Sequence, residues 1–223
     1  PDRCEPRCPV FGECGGCALQ HIGYEAQLEA KRRMLVDALA RIGRVALPDG
    51  LVVHASPQPY GYRGRTRVLV QGEEVGYRRQ GSHELCAVTS CPVLTPAADG
   101  ALSALADRCR AAEADAAPPT GGDWEIVAGA EPQTRVWPLG TARADRAGKA
   151  KSANARAAES EIFVEVGAER LRVSPGVFTQ ANVLLVETLC GAVAAAAAKG
   201  ESGRDHCLEL FAGAGFLTLP LAR

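Results

Sequence analysis

The stretch "HCLELFAGAGFLTLPLAR", residues 206–223, decides the fold class. Its apolar residues predict a buried strand, Gly213 and Gly215 predict a turn, and the leucines that follow begin a helix. A strand with apolar character on both faces belongs in the middle of a sheet flanked by helices, which predicts an α/β protein. Because such a sheet needs more strands and helices than remain after residue 223, we expect the chain to be the N-terminal part of a larger protein.

The same glycine turn suggests a ligand. Glycines at a strand-to-helix turn let a ligand approach the backbone closely. A dinucleotide-binding turn requires a third glycine at the position of Thr218, so an adenosyl ligand without a pyrophosphate fits better. A glycine pair after a strand is also common in α/β proteins without such a ligand, and this motif alone leaves both interpretations open.

Composition places the chain among soluble globular proteins. It has 223 residues, 47% of them hydrophobic, and a formal net charge of -1. No apolar run approaches the roughly 20 residues of a membrane span, and no basic stretch leads into an apolar one at the N-terminus, so we predict a cytoplasmic protein. The small net charge gives no overall attraction to polyanions, and any contact with nucleic acid must come from a local patch.

The nine cysteines are unevenly spread, which favours a metal site over disulfides. Three of them fall within ten residues, and the two glycines at 15 and 16 tolerate the positive φ that a sharp turn between the thiols would need. These three are Cys8, Cys14 and Cys17. The isolated Cys109, Cys190 and Cys207 are most simply small core residues.

A metal site of this kind requires a fourth ligand. We choose Cys91 over Cys4 and Cys86, because Pro92 behind it gives the Cys-Pro step found in some iron-sulfur ligand runs. A structural zinc site explains the same thiols, with His21 as a substitute ligand. Spacing alone therefore leaves zinc and an iron-sulfur cluster equally open, with free reduced thiols as the remaining alternative.

Periodicity predicts the other elements. Residues 140–161 have almost no apolar side chain larger than Ala, which predicts a mobile loop. In chain order the elements are a helix over 24–43 with one apolar face, two or three antiparallel strands between 60 and 90, a helix after Pro96, strands at 124–129, 134–139, 161–166 and 170–175, and a helix over 181–200.

Alternation along one strand places Arg63, Arg65 and Arg67 on a common face, and Arg78 and Arg79 follow on the next strand. This basic strip has exposed positions that suit RNA phosphates, although a solvated face paired with nearby glutamates explains the same pattern. With His83 beside the strip as a residue that could stack on unpaired bases, the predicted RNA contacts are Arg63, Arg65, Arg67, Arg79 and His83.

Six motifs in order, "CPVFGECGGCALQHIGYEAQL", "YRGRTR", "GYRRQGSHELCAV", "SCPVL", "RVSPGVFTQAN" and "LELFAGAGFLTLPLA", resemble the bacterial RNA 5-methyluridine methyltransferases, which methylate uracil C5 in 23S rRNA and tRNA. The resemblance covers nearly the whole chain. It implies an α+β iron-sulfur and RNA-binding domain over 1–21 and 48–175, a helix over 22–47 that packs on the methyltransferase domain, and the start of a Rossmann-like class I methyltransferase domain over 176–223.

The same resemblance implies the cofactors and their ligands. A [4Fe-4S] cluster is expected on Cys8, Cys14, Cys17 and Cys91, and S-adenosylmethionine on Gln180, Phe211, Gly213 and Gly215. Phe216 replaces an asparagine that contacts the cofactor in many members of the family.

The family's mechanism adds a thiolate to uracil C6, after which C5 attacks the sulfonium methyl group and a base removes the C5 proton. In the family the nucleophile and base follow the region matched here, so we assign no catalytic residue to this chain and expect residues 1–223 alone to be inactive. RNA is the expected partner of a monomeric protein. The alternative from another class is a non-catalytic RNA-binding module that contains zinc or an iron-sulfur cluster.

Overall fold

The fold is that of a computed structural model, which describes residues 2–45, 51–111, 121–130, 133–139, 161–198, 207–210 and 212–222. The helices are α1 (Tyr24–Ala38), which continues into a π-helical turn (Leu39–Gly43), α2 (Pro96–Arg110), α3 (Val186–Ala198), which follows a 3-10 turn (Val183–Leu185), and α4 (Thr218–Leu221). The strands are β1 (Arg65–Gln71), β2 (Glu74–Arg78), β3 (Leu85–Ala87), β4 (Gly122–Ala128), β5 (Thr134–Pro138), β6 (Ile162–Val166) and β7 (Glu169–Val173).

Five of the strands form one antiparallel sheet in the order β3-β2-β1-β4-β5. Helix α2 covers one face, where Leu102 and Leu105 pack against Val68 and Ile126. The helix begins where the sequence predicts, because Thr95 caps it through its hydroxyl, which accepts from the Ala98 N–H at 3.4 Å.

The opposite face of the sheet carries both apolar and charged residues. The strand register places Arg67 opposite Glu125 and Glu125 opposite Trp137, so these side chains share one face. The β6-β7 hairpin covers part of this face by packing Ile162 against Trp137. The approach is so close that a Cβ on Gly129 would lie 2.3 Å from a backbone oxygen of β6, which explains the glycine.

The mixed helix-and-sheet class and the order of elements are confirmed through α3. The last predicted strand is wrong. Residues 207–210 form no strand, Leu208 and Leu210 are 84% and 70% exposed, and Cys207 is exposed rather than buried. The physical reason is that an apolar strand needs neighbours on both sides, and the described residues supply none here.

Helix α1 forms as predicted, but its apolar face packs against little. None of its residues is buried, and Leu35 and Ile42 remain 46% and 84% exposed. The predicted loop at 140–161 lies outside the described residues except for its last residue. Among the described helices, none is long and apolar enough to cross a membrane.

Candidate functional site

The segment 8–17 is a tight loop fastened to the end of β2. Cys14 N–H donates to the Val10 carbonyl at 3.0 Å, and Gly15 N–H donates to the Arg78 carbonyl at 2.9 Å. The positive φ lies at Gly12, not at the glycine pair that the sequence suggested. Gly15 approaches the sheet closely, because a Cβ there would lie 3.1 Å from the Arg78 oxygen.

The four predicted thiol ligands come together around one cavity of about 520 Å³. They are Cys8, Cys14, Cys17 and Cys91. The two rejected cysteines do not line this cavity: the exposed Cys4 donates its thiol to the Gln20 carbonyl at 3.3 Å, and Cys86 is buried in the apolar core.

Cys91 is positioned by the first turn of α2. Its backbone N–H donates to Asp99 Oδ1 at 2.6 Å, and Ser90 Oγ donates to the other oxygen of the same carboxylate at 3.0 Å. Leu94 N–H donates back to the Cys91 carbonyl at 3.0 Å and closes the Cys-Pro turn. One aspartate therefore attaches the fourth thiol to a helix that is itself packed on the sheet.

Burial governs the state of these thiols. It raises the pKa of Cys14, while a hydrogen bond from the Gly16 N–H at 3.4 Å lowers that pKa. Burial also raises the pKa of Cys91, while hydrogen bonds from the Val93 N–H and the Tyr77 hydroxyl lower it. The neighbouring thiols raise both pKa values further.

The described part of the chain contains no group of three or more His, Cys, Asp or Glu side chains arranged to hold a metal ion. The four thiols line one cavity of about 520 Å³ together with other side chains. A set of four thiols suits either a zinc ion or an iron-sulfur cluster.

The basic strip divides into parts with different surroundings. Arg63, Arg65 and Arg67 all line the thiol cavity, and the Arg67 side chain is 64% exposed. The expectation that Arg65 is exposed is wrong, because Glu125 on the neighbouring strand draws it into a buried ion pair in which its side chain is 10% exposed. The other two members lie elsewhere: Arg79 pairs with Glu13 at 2.8 Å, and His83 is exposed on the segment between β2 and β3.

The segment that carries Gln180 lies along residues 62–65. Gly64 N–H donates to the Ala181 carbonyl at 2.9 Å, and Val183 N–H donates to the Tyr62 carbonyl at 3.0 Å. Gln180 is half-buried, and its neighbour Thr179 lines the thiol cavity. The segment that carries the predicted cofactor residue thus borders the cavity lined by the predicted metal ligands.

The glycine turn has the backbone that its sequence predicts, with φ of 59° at Gly213 and 84° at Gly215. Phe211 lies outside the described residues. Phe216 is 7% exposed and packs in the apolar cluster between the β6-β7 hairpin and α3, where its carbonyl accepts from the Cys190 thiol at 3.0 Å. Phe216 is therefore a core residue of this unit.

Sequence reasoning missed Glu125, the central polar residue of the face that bears the arginines. Its side chain is 0% exposed and accepts from Arg65 Nε at 3.0 Å and Trp137 Nε1 at 3.1 Å. A charged residue in a buried strand requires a partner. The single glutamate within the otherwise apolar "WEIVA" was therefore the signal that the sequence offered.

Comparison with known proteins places the chain among relatives that modify RNA. No family model matches it. The chain is 30% identical to an uncharacterized RNA methyltransferase of Nitratidesulfovibrio vulgaris, with 99% of this chain and 56% of the relative aligned.

More particular names come from two further comparisons. The chain is 31% identical to the 23S rRNA (uracil(1939)-C(5))-methyltransferase RlmD of Dichelobacter nodosus, over 100% of this chain and 55% of that protein. The crystal structure of Pyrococcus abyssi tRNA (uracil-54, C5)-methyltransferase in complex with S-adenosyl-L-homocysteine matches with a TM-score of 0.66 at 19% identity, over 96% of this chain and 57% of that one. The chain thus has the fold of part of a methyltransferase and spans about half the length of the curated relatives it matches.

Proposed function

We propose that this chain belongs to an RNA (uracil-C5) methyltransferase that uses S-adenosylmethionine and holds a [4Fe-4S] cluster. The similarity to RNA methyltransferases, which extends over nearly all of this chain and about half of each relative, supports the reaction class. The observation that carries the proposal is the meeting of four thiols from two distant segments around one cavity. The segment with Gln180 borders that same cavity.

The cluster would be held by Cys8, Cys14, Cys17 and Cys91, and its iron would supply the positive charge that stabilises their thiolate forms. The chain's own part is to preorganise the ligands. The loop with the first three is fastened to β2, and Asp99 fastens the fourth to α2.

For the methyl donor we propose Gln180, Phe211, Gly213 and Gly215 as contacts. A left-handed glycine turn brings backbone N–H groups close to a ligand without steric conflict from a Cβ. Arg63 and Arg67 are proposed to hold RNA phosphates beside the cavity, with Arg79 and His83 extending the contact along the sheet.

We assign neither the nucleophile nor the base of the methyl transfer to this chain. Cys109 and Cys190 are buried among apolar side chains, and burial raises the pKa of each, which disfavours the thiolate that would have to attack uracil C6.

The metal proposal is tested by iron, sulfide and zinc analysis of anaerobically purified protein. We expect about four irons per chain and a brown colour that Cys91→Ser abolishes. Cys4→Ser is the matched control, because Cys4 is exposed and outside the cavity lining. Stoichiometric zinc in a colourless protein would contradict the cluster.

The reaction is tested with labelled S-adenosylmethionine and unmodified 23S rRNA and tRNA. The whole protein should label one of them at uracil C5. RNA containing 5-fluorouridine should give a covalent adduct, because fluorine at C5 cannot leave as a proton. RNA binding without methyl transfer or adduct would favour the non-catalytic module.

A further inference from the structure

Glu125 is a buried carboxylate whose hydrogen bonds reach beyond its own sheet. Within the sheet, Oε1 accepts from Arg65 Nε at 3.0 Å and Nη2 at 2.5 Å, and Oε2 accepts from Trp137 Nε1 at 3.1 Å. Outside the sheet, Oε2 also accepts from the backbone N–H of Gly176 at 3.2 Å. A single carboxylate thus connects strands β1, β4 and β5 to the segment after β7.

Arg65 makes a second connection to that segment. Its Nη1 donates to the Val177 carbonyl at 2.8 Å while the rest of its guanidinium is held by Glu125. The guanidinium also lies 5.7 Å from the centre of the Phe178 ring. The pair therefore contacts three consecutive residues, and the segment continues directly to Thr179 and Gln180.

Sheet stability alone does not explain this arrangement. β1 and β4 are already joined by a six-residue register, and an apolar pair in place of a buried ion pair is often equally stable. The planar fork of an arginine is suited to holding a carboxylate and a carbonyl at once, which apolar side chains cannot do.

We propose that Glu125 and Arg65 are positioning residues that fix segment 176–180 for S-adenosylmethionine. This inference rests on the proposed function and adds to it how the cofactor segment is held. It also removes Arg65 from the RNA-binding strip, because its guanidinium is committed to Glu125 and Val177. Loosening the pair should weaken cofactor binding, while the rate of methyl transfer in the complex with bound cofactor should change little.

The test uses Glu125→Gln and Arg65→Lys in the whole protein. Glutamine keeps an oxygen for Gly176 and Trp137 but loses the charge, and lysine keeps the charge but cannot reach Glu125 and Val177 with the same fork. Asp123→Asn is the matched control. Asp123 lies on β4, as Glu125 does, and the change removes the charge of the exposed Arg78–Asp123 pair at 2.8 Å without touching segment 176–180.

Three readouts separate the possible roles. Hydrogen exchange at the amides of 176–181 should accelerate about tenfold more than at those of β1 in both test variants. S-adenosylhomocysteine affinity should fall about tenfold, and KM for S-adenosylmethionine should rise by a similar factor while kcat changes less than about twofold. Iron content should stay at the wild-type value, since the thiol loop is not touched.

Folded test variants whose exchange over 176–181 and S-adenosylhomocysteine affinity both match the Asp123→Asn control would overturn the inference. If the wild-type protein binds no S-adenosylhomocysteine, the proposed function fails instead, and the exchange data alone then decide whether the pair holds the segment. If Glu125→Gln does not fold, Arg65→Lys carries the test, because its ammonium still neutralises the buried carboxylate.

Discussion

Arg65 and Arg67 are two residues apart on one strand, yet their replacement by alanine should have very different effects on stability. Arg65→Ala leaves the 0% exposed Glu125 carboxylate without its main charge partner. Removing one member of a buried pair costs about 3–5 kcal/mol. Because Trp137 Nε1 and the Gly176 N–H still donate to Glu125, we expect the lower end, about 3 kcal/mol.

Arg67→Ala removes a side chain that is 64% exposed and 3.5 Å from the same carboxylate. Exposed pairs contribute about 0–1 kcal/mol, so we expect a loss of less than about 0.5 kcal/mol. The assay is urea unfolding followed by fluorescence of the two tryptophans. The double variant Arg65→Met with Glu125→Gln should regain part of the loss, because it removes the unpaired charge. Equal losses for the two arginines would refute this account of the buried pair.

Three further predictions follow from other contacts. Gly76→Ala should destabilise the protein by more than about 2 kcal/mol in thermal unfolding, because the new Cβ would lie 2.0 Å from a backbone oxygen of β3. Gly100→Ala, in an open position on α2, should stabilise it by about 0.5–1 kcal/mol. Similar effects at both sites would contradict the steric argument. Hydrogen bonding from Arg32 lowers the pKa of Glu29 to about 2. The Glu29 carboxylate should therefore stabilise α1 at pH values above the pKa that Glu29 has in the unfolded chain, and this contribution should be lost as the pH falls towards 2. An NMR titration that gives Glu29 an ordinary glutamate pKa would exclude the interaction. Arg67→Ala should lower the slope of log RNA affinity against log salt by about 0.7, and an unchanged slope in the folded variant would remove Arg67 from the RNA contact.

The local elements were predictable because each has its own start and stop signals. Thr95 and Pro96 mark the start of α2, and Gly72, with φ of 62°, marks the turn between β1 and β2. For the thiols, spacing indicated three members and the Cys-Pro step indicated Cys91, and their role as ligands stays a prediction. The structure brings those four to one cavity.

What the sequence could not provide depends on contacts between distant segments. Arg65 and Glu125 are 60 residues apart, and only the β1-β4 register makes them neighbours. The alternation rule correctly placed Arg65 and Arg67 on one face, but it cannot tell which part of a face another segment will cover. In the same way, the apolar pattern at Leu208 and Leu210 indicates a strand but cannot supply its neighbours.

The attachment of Cys91 to α2 has a consequence for folding. Asp99 joins the Cys-Pro turn to a helix that packs on the sheet, so Cys91 is tied to the core of the sheet. A group bound by all four thiols would then act as a cross-link that closes a long loop of chain. In the chain-entropy view such a link disfavours the unfolded state by about 4 kcal/mol. Loss of the group would therefore lower the free energy of unfolding of the entire sheet domain, and cofactor assembly and protein lifetime in the cell would be coupled.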